Sequence, residues 1–264
     1  MKRPFLLLYG FIVYLLFNAA FLYWIGFLLD FGVPKAINDG VVVSTTEALL
    51  TNLALVFLFG FFHSLMARDG FKRWWTRYIP VEAERSTYVL QSALFLYLAM
   101  WHWRPMPDVI WQVEGAAAIV MTALCLIGFM VLFVSTLLID HFELFGIKQV
   151  WFANAKRELP TAEFKQPLLY KLVRHPMQLG VLIAVFATPT MTVGHLVFAA
   201  SMGLYVLIGL YFEERALLRE FGDTYREYQR TTPMLIPRLI PLRQRDPGTS
   251  IDAAKAAGKL EVEQ

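Results

Sequence analysis

The chain has 264 residues, of which 57% are hydrophobic, 15% aromatic and only 17% charged. Soluble domains carry about a quarter charged residues, so an ordinary water-surrounded globule is excluded. A net charge of +3 without a basic stripe excludes a nucleic-acid partner, and the lone Cys125 excludes a disulfide framework or a CxxC metal knuckle.

Crossing a hydrocarbon core of ~30 Å takes ~20 apolar residues. The first such run, Phe5 to Leu29, follows Lys2-Arg3. It is too long for a signal-peptide core and lacks a small-residue cleavage site, so it reads as a retained span. The second, Leu49 to Ala67, carries His63 inside apolar sequence, where an ionisable group is a functional candidate by default. The third, Thr87 to Trp103, follows Glu84-Arg85 and contains Tyr88; the fourth, Gly115 to Ile139, runs into Asp140-His141. The last apolar block, Leu179 to Phe212, is too long for one crossing and is interrupted at Thr188-Pro189-Thr190. It is predicted to form two antiparallel helices, the first of them short.

Basic residues cluster after the second run (Arg68, Lys72, Arg73, Arg77, Arg85) and before the last block (Lys148 to Arg174), which predicts cytoplasmic termini. The expected fold is an all-α integral membrane protein of about six transmembrane helices, the last two a hairpin, with a cytoplasmic cofactor-binding region. Residues 1–139 would form a four-helix transmembrane region. Residues 140–245 would hold a cytoplasmic loop, the hairpin and a C-terminal helix, and 246–264 a mobile tail. Trp74, Trp75, Trp101, Trp103, Trp111 and Trp151 fall near span ends, as an interfacial aromatic belt would. No internal repeat is present, which disfavours a transporter built from inverted halves.

The richest polar pattern brackets the hairpin. Arg174-His175-Pro176 opens it, and Glu213-Glu214 closes it, followed by Leu217, Phe221-Gly222, Tyr225 and Tyr228. Proline suits a first helical turn, and the free amides there attract an anion, to which an arginine adds a two-pronged donor. Carboxylates at membrane depth need a cation or hydrogen-bond donors. A ligand with a carboxylate, an ammonium and ribose hydroxyls would satisfy both sets, with Tyr225 and Tyr228 offering phenols beside an apolar wall. The plainer alternative is an interfacial Arg174–Glu214 salt bridge tying two helices together.

This two-part motif, covering about Lys171 to Pro237, resembles the isoprenylcysteine carboxyl methyltransferase superfamily of membrane enzymes that use S-adenosylmethionine. The resemblance implies that Arg174, His175, Glu213 and Glu214 contribute to the cofactor pocket, with Tyr225 and Tyr228 nearby. Prenylcysteine enzymes usually place an aromatic residue two positions after the proline. Here Gln178 stands there, which points away from a prenylcysteine acceptor. His63-Ser64-Leu65-Met66-Ala67-Arg68, Glu84-Arg85-Ser86-Thr87-Tyr88, Trp103-Arg104-Pro105 and Asp140-His141-Phe142-Glu143-Leu144-Phe145-Gly146 further resemble NnrU-like membrane proteins. With Arg174 to Gly180 they are similar to the methanethiol S-methyltransferases, which make dimethyl sulfide. That resemblance implies a bacterial inner-membrane enzyme whose 140–245 segment is the methyltransferase core. Its partners would be methanethiol, S-adenosylmethionine and lipid, with no obligatory protein partner.

Methyl transfer from a sulfonium to a thiolate cancels two charges, which a dry pocket favours, and a small apolar thiol reaches such a pocket through lipid. Alkyl thiols are no more acidic than cysteine (~8.5), so a base or cation should assist. His141 is the first candidate base, which Asp140 or Glu143 could orient or tune, and His63 the second. Arg85 could stabilise the anion and Tyr88 donate a hydrogen bond. Each histidine could equally be a hydrogen-bonded packing residue. No zinc-type spacing links the five histidines, so no metal is expected. Two other readings stay open: a methyltransferase for a prenylcysteine, isoprenoid or phospholipid acceptor, and a non-catalytic transporter or assembly factor.

Overall fold

A computed structural model describes residues 3–160 and 164–237. The proposed tail, 246–264, lies outside the described residues, as does the end of the 140–245 segment. The elements in chain order are α1 (Arg3–Leu29), α2 (Thr45–Met66), α3 (Asp69–Trp75), α4 (Val81–His102), β1 (Val109–Gln112), α5 (Gly115–Ile139), α6 (His141–Leu144), α7 (Ile147–Asn154), α8 (Leu169–Leu172), α9 (Pro176–Phe186), β2 (Thr190–Thr192) and α10 (Val193–Thr231). Four of the helices, α1, α2, α5 and α10, are long and apolar enough to cross a membrane. By the same length and composition, α9 is too short at 11 residues, and α4 carries Glu82, Glu84 and Arg85 in its first turns.

The apolar block does divide, but the divider is more than a turn. Residues 190–192 pair antiparallel with 109–112, setting Trp111 opposite Met191 and Gln112 opposite Thr190. The all-α expectation therefore misses a small sheet, because four- and three-residue strands leave no periodic signal. The same loops cap α10: Val193 N–H donates to the Asp108 carbonyl at 2.8 Å and Gly194 N–H to Met106 at 3.0 Å.

Helices α5 and α9 pack backbone to backbone. A Cβ on Gly128 would stand 2.5 Å from Ala184 N, and one on Gly180 would stand 2.6 Å from both Gly128 O and Leu132 N. Only glycine at both positions permits that approach, a device common where lipid removes the hydrophobic drive between helices. The central core joins α1, α2, α4, α5, α9 and α10 around Trp24, Phe27, Met100, Phe129 and Phe198. Trp103 belongs to it, 1% exposed and edge-on to Phe198 at 5.3 Å, so this tryptophan is a core residue and not part of an interfacial belt. Asn52, fully buried, closes a two-way amide pair with the Arg104 backbone at 2.8 Å in each direction.

Candidate active site

Because α9 and the first arm of α10 lie side by side, residues far apart in sequence meet at both ends of the pair. His195 Nε2 donates to the Val185 carbonyl at 2.9 Å at one end. At the other, Arg174 meets Glu214 through Nε at 2.9 Å and Nη2 at 3.0 Å. Pro176 occupies the first turn of α9, where its missing N–H costs nothing.

Glu214 is the hub of this end. Its carboxylate also accepts from His175 Nε2 at 2.6 Å, from Tyr225 Oη at 2.8 Å and from Gln229 Nε2. Tyr225 and Gln229 come within reach because α10 breaks at Gly222, whose φ of 54° and ψ of −125° suit only a residue without a Cβ. The chain then folds back, so that Arg174 N–H donates to Pro233 O at 2.9 Å and His175 N–H to Met234 O at 3.1 Å. Arg174 Nη1 additionally donates to the Gln229 and Thr232 carbonyls. Four hydrogen bonds against five guanidinium N–H groups leave a single donor for any ligand. Tyr228 donates to the Tyr170 carbonyl, and Phe164 packs on Phe221, Tyr225 and Tyr228. The two phenols expected to face a nucleoside are thus committed to the protein.

Glu213, the neighbour, points elsewhere. It lines a cavity of about 980 Å³ enclosed by α1, α2, α4, α5, α9 and α10. Gln178 Nε2 donates to its Oε2 at 2.9 Å, and His175 Nδ1 stands 3.7 Å from Oε1. Gln178 is therefore a positioning residue for Glu213, a role that sequence marks only as a departure from the prenylcysteine pattern. One end of the cavity is polar, its lining including Glu213, Arg68, Asp69, Arg215 and Arg219. Among the described residues Arg68, Arg215 and Arg219 form no ion pair, and the guanidinium groups of Arg68 and Arg215 lie over the rings of Phe212 and Tyr211 at 4.8 and 4.2 Å. The other end is apolar, walled by Phe21, Trp24, Phe59, Leu96 and Met202.

Between the two ends lie His63, Tyr88 and Arg85. Tyr88 Oη is 2.7 Å from His63 Nε2, and Ser92 Oγ is 2.9 Å from Nδ1. Arg85 stacks over the Tyr88 ring at 5.1 Å and donates from Nε to the Leu144 carbonyl at 2.7 Å. Ser92, a full helical turn beyond Tyr88, escaped sequence reasoning; its i+4 spacing on α4 is the signal that could have found it.

His141 stands apart from the cavity lining, 5% exposed. Its Nε2 meets Tyr14 Oη at 2.8 Å and its Nδ1 meets Thr136 Oγ1 at 2.7 Å. Burial lowers its pKa, against a smaller opposing effect of Asp140. Neither carboxylate orients the ring, which is bonded to Tyr14 and Thr136 instead, while Asp140 tunes it through its charge. Asp140 caps α6 by accepting from Glu143 N–H at 3.0 Å, and both acids take Lys148 Nζ, Glu143 at 2.7 Å.

Residues 51–242 match the family model described as NnrU protein. The chain is 48% identical to methanethiol S-methyltransferase 2 of Bradyrhizobium diazoefficiens over 91% of its own length and 93% of that protein. It is 46% identical to the methanethiol S-methyltransferase of Mycobacterium tuberculosis, covering 90% of this chain and 98% of the relative. Nurim of Sus scrofa is 32% identical over 69% and 74% of the two chains. No solved structure matches.

Proposed function

The chain belongs to the NnrU protein family, and from that premise we propose that it methylates methanethiol to dimethyl sulfide, with S-adenosylmethionine as donor. The observation that carries the proposal is the two-ended cavity, polar at Glu213, Arg68, Arg215 and Arg219 and apolar at Phe21 to Met202. A sulfonium nucleoside carrying an amino acid fits that gradient. Arg68 and Arg215 offer cations for its carboxylate, Glu213 offers acceptors for its ammonium or ribose hydroxyls, and the inner wall takes the small thiol. When bound, S-adenosylmethionine supplies an electrophilic methyl on a positively charged sulfur. The balanced reaction joins that methyl to the thiol sulfur and releases S-adenosylhomocysteine and the thiol proton.

Arg174, His175, Glu214, Tyr225 and Tyr228 belong to this cofactor site chiefly as its frame: they lock the break at Gly222 and hold Glu213 at the cavity. The apolar wall keeps water from a step in which opposite charges cancel. In this reading α4 also traverses the bilayer, and the 11-residue α9 does so only together with residues 187–192 that follow it, giving about six crossings and cytoplasmic termini in a bacterial inner membrane. The first arm of α10, from Val193 to Gly222, rises about 44 Å, more than the ~30 Å core, which brings Glu213 and the arginines to the headgroup level.

Purified protein is to be incubated with methyl-labelled S-adenosylmethionine and methanethiol, and labelled dimethyl sulfide measured in the headspace. Labelled volatile product is expected. Cofactor binding with label only on lipid or peptide would transfer the activity to another acceptor, and no binding at all would end the enzymatic reading.

A further inference from the structure

We infer that Tyr88 and His63 form a proton relay that takes the proton from the thiol, with Ser92 as the residue that fixes its direction; the inference rests on the thiol-methylation reading above. The argument is one of hydrogen-bond inventory. A serine hydroxyl has one proton to give. Ser92 gives its proton to the Tyr88 carbonyl, at 2.8 Å. Toward His63 Nδ1, at 2.9 Å, Ser92 Oγ must therefore accept, so Nδ1 carries the ring proton. Nε2 is then a lone pair, and Tyr88 Oη, 2.7 Å away, donates to it. A phenol that donates into an imidazole has its own oxygen lone pairs free. The thiol S–H proton passes to the Tyr88 oxygen as the phenolic proton moves to His63 Nε2. What remains is a thiolate, a neutral tyrosine and a His63 imidazolium, and the last returns its proton to solvent after methyl transfer.

The step starts neutral and ends in an ion pair, the thiolate and the His63 imidazolium, with no change in net charge. Tyr88 and His63 both line the cavity between its polar and apolar ends. The charged and titratable groups facing them are Arg85 and Glu84 from α4 and Tyr205 and Glu213 from α10. Arg85, stacked on the Tyr88 ring at 5.1 Å, supplies a cation beside the phenol at which the thiolate would form. The same inventory applied to His141 gives the same tautomer, because Thr136 donates to the Phe133 carbonyl at 2.7 Å and Tyr14 closes Nε2. Among the described residues, however, Tyr88 and His63 line the cavity and Tyr14 and His141 do not, which favours the first pair for contact with substrate.

Two readouts test the relay. Nitrogen NMR of ¹⁵N-histidine-labelled protein in micelles, without cofactor, should show His63 neutral with its proton on Nδ1. Tyr88→Phe should shift its Nε2 resonance, and Ser92→Ala should admit the other tautomer. In turnover assays Tyr88→Phe and His63→Gln should each lose about 100-fold or more in kcat at neutral pH, with the Kd for S-adenosylmethionine unchanged. The deficit should shrink as pH approaches the thiol's own pKa. An Nε2–H tautomer in the wild type, or full kcat in Tyr88→Phe at neutral pH, overturns the relay. Should the wild type bind cofactor yet leave methanethiol unmethylated, the proposed function falls, and the NMR arm alone decides whether the pair is wired as inferred.

Discussion

Replacing Glu214 by alanine removes the acceptor on which Arg174, His175, Tyr225 and Gln229 converge. Arg174 and Glu214 have side chains only 11% and 12% exposed, so water can do little to re-solvate the stranded guanidinium. Breaking such a pair costs about 3–5 kcal/mol, most of it the penalty of leaving one charge without a partner. Against a total stability of about 5–15 kcal/mol this is a large fraction. For a chain of this size it corresponds to a fall in Tm of about 6–20 °C. Thermal unfolding in detergent, followed by helical circular dichroism, measures it. Arg174→Ala should cost less, because the carboxylate keeps His175, Tyr225 and Gln229 as donors. The double variant should be more stable than the sum of the singles by about 1–3 kcal/mol, since the second deletion removes the stranded partner. Additive losses, or a Glu214→Ala protein that melts with the wild type, would refute the account of Glu214 as a buried hub.

Two further outcomes follow from geometry away from the hub. Gly180→Leu drives a side chain into the backbone of α5, at Gly128 O and Leu132 N, so it should abolish monodisperse protein on gel filtration, whereas Gly209→Ala, with nothing within 4 Å, should not. The Asp140–Lys148–Glu143 cluster gives a pH dependence. Partial burial opposes ionisation of Asp140, but hydrogen bonds from Lys148 and the Glu143 N–H, together with the Lys148 charge, outweigh it and hold the carboxyl below its usual range. The two acids in turn raise Lys148. The stabilisation is therefore complete above the ordinary aspartate value of ~3.9 and below the ordinary lysine value of ~10.4. It is lost as pH falls through the depressed folded value, or rises through the raised one. Lys148→Met should lose about 1 kcal/mol or less at neutral pH, and the gap should close as pH falls below the ordinary aspartate range. A gap that persists undiminished at acid pH would show that the ion pair is not its source.

The sequence by itself determined where apolar helices run, because membrane spans are written as uninterrupted composition, and α1, α2 and α5 fall within a few residues of the expected runs. It also determined which residue types converge at the α9–α10 pair, since Arg174, His175 and Glu214 do meet there. It could not show that Arg174 spends four N–H groups on the protein, that Glu213 and not Glu214 lines the cavity, or that His141 turns to Tyr14 and Thr136 while His63, with Tyr88, lines the cavity. Those facts depend on how a limited set of donors and acceptors is shared among helices distant in sequence. Hydrophobic patterning along one helix carries no record of that sharing; only the packed arrangement, through Gly128 against Gly180 and the break at Gly222, decides who bonds to whom.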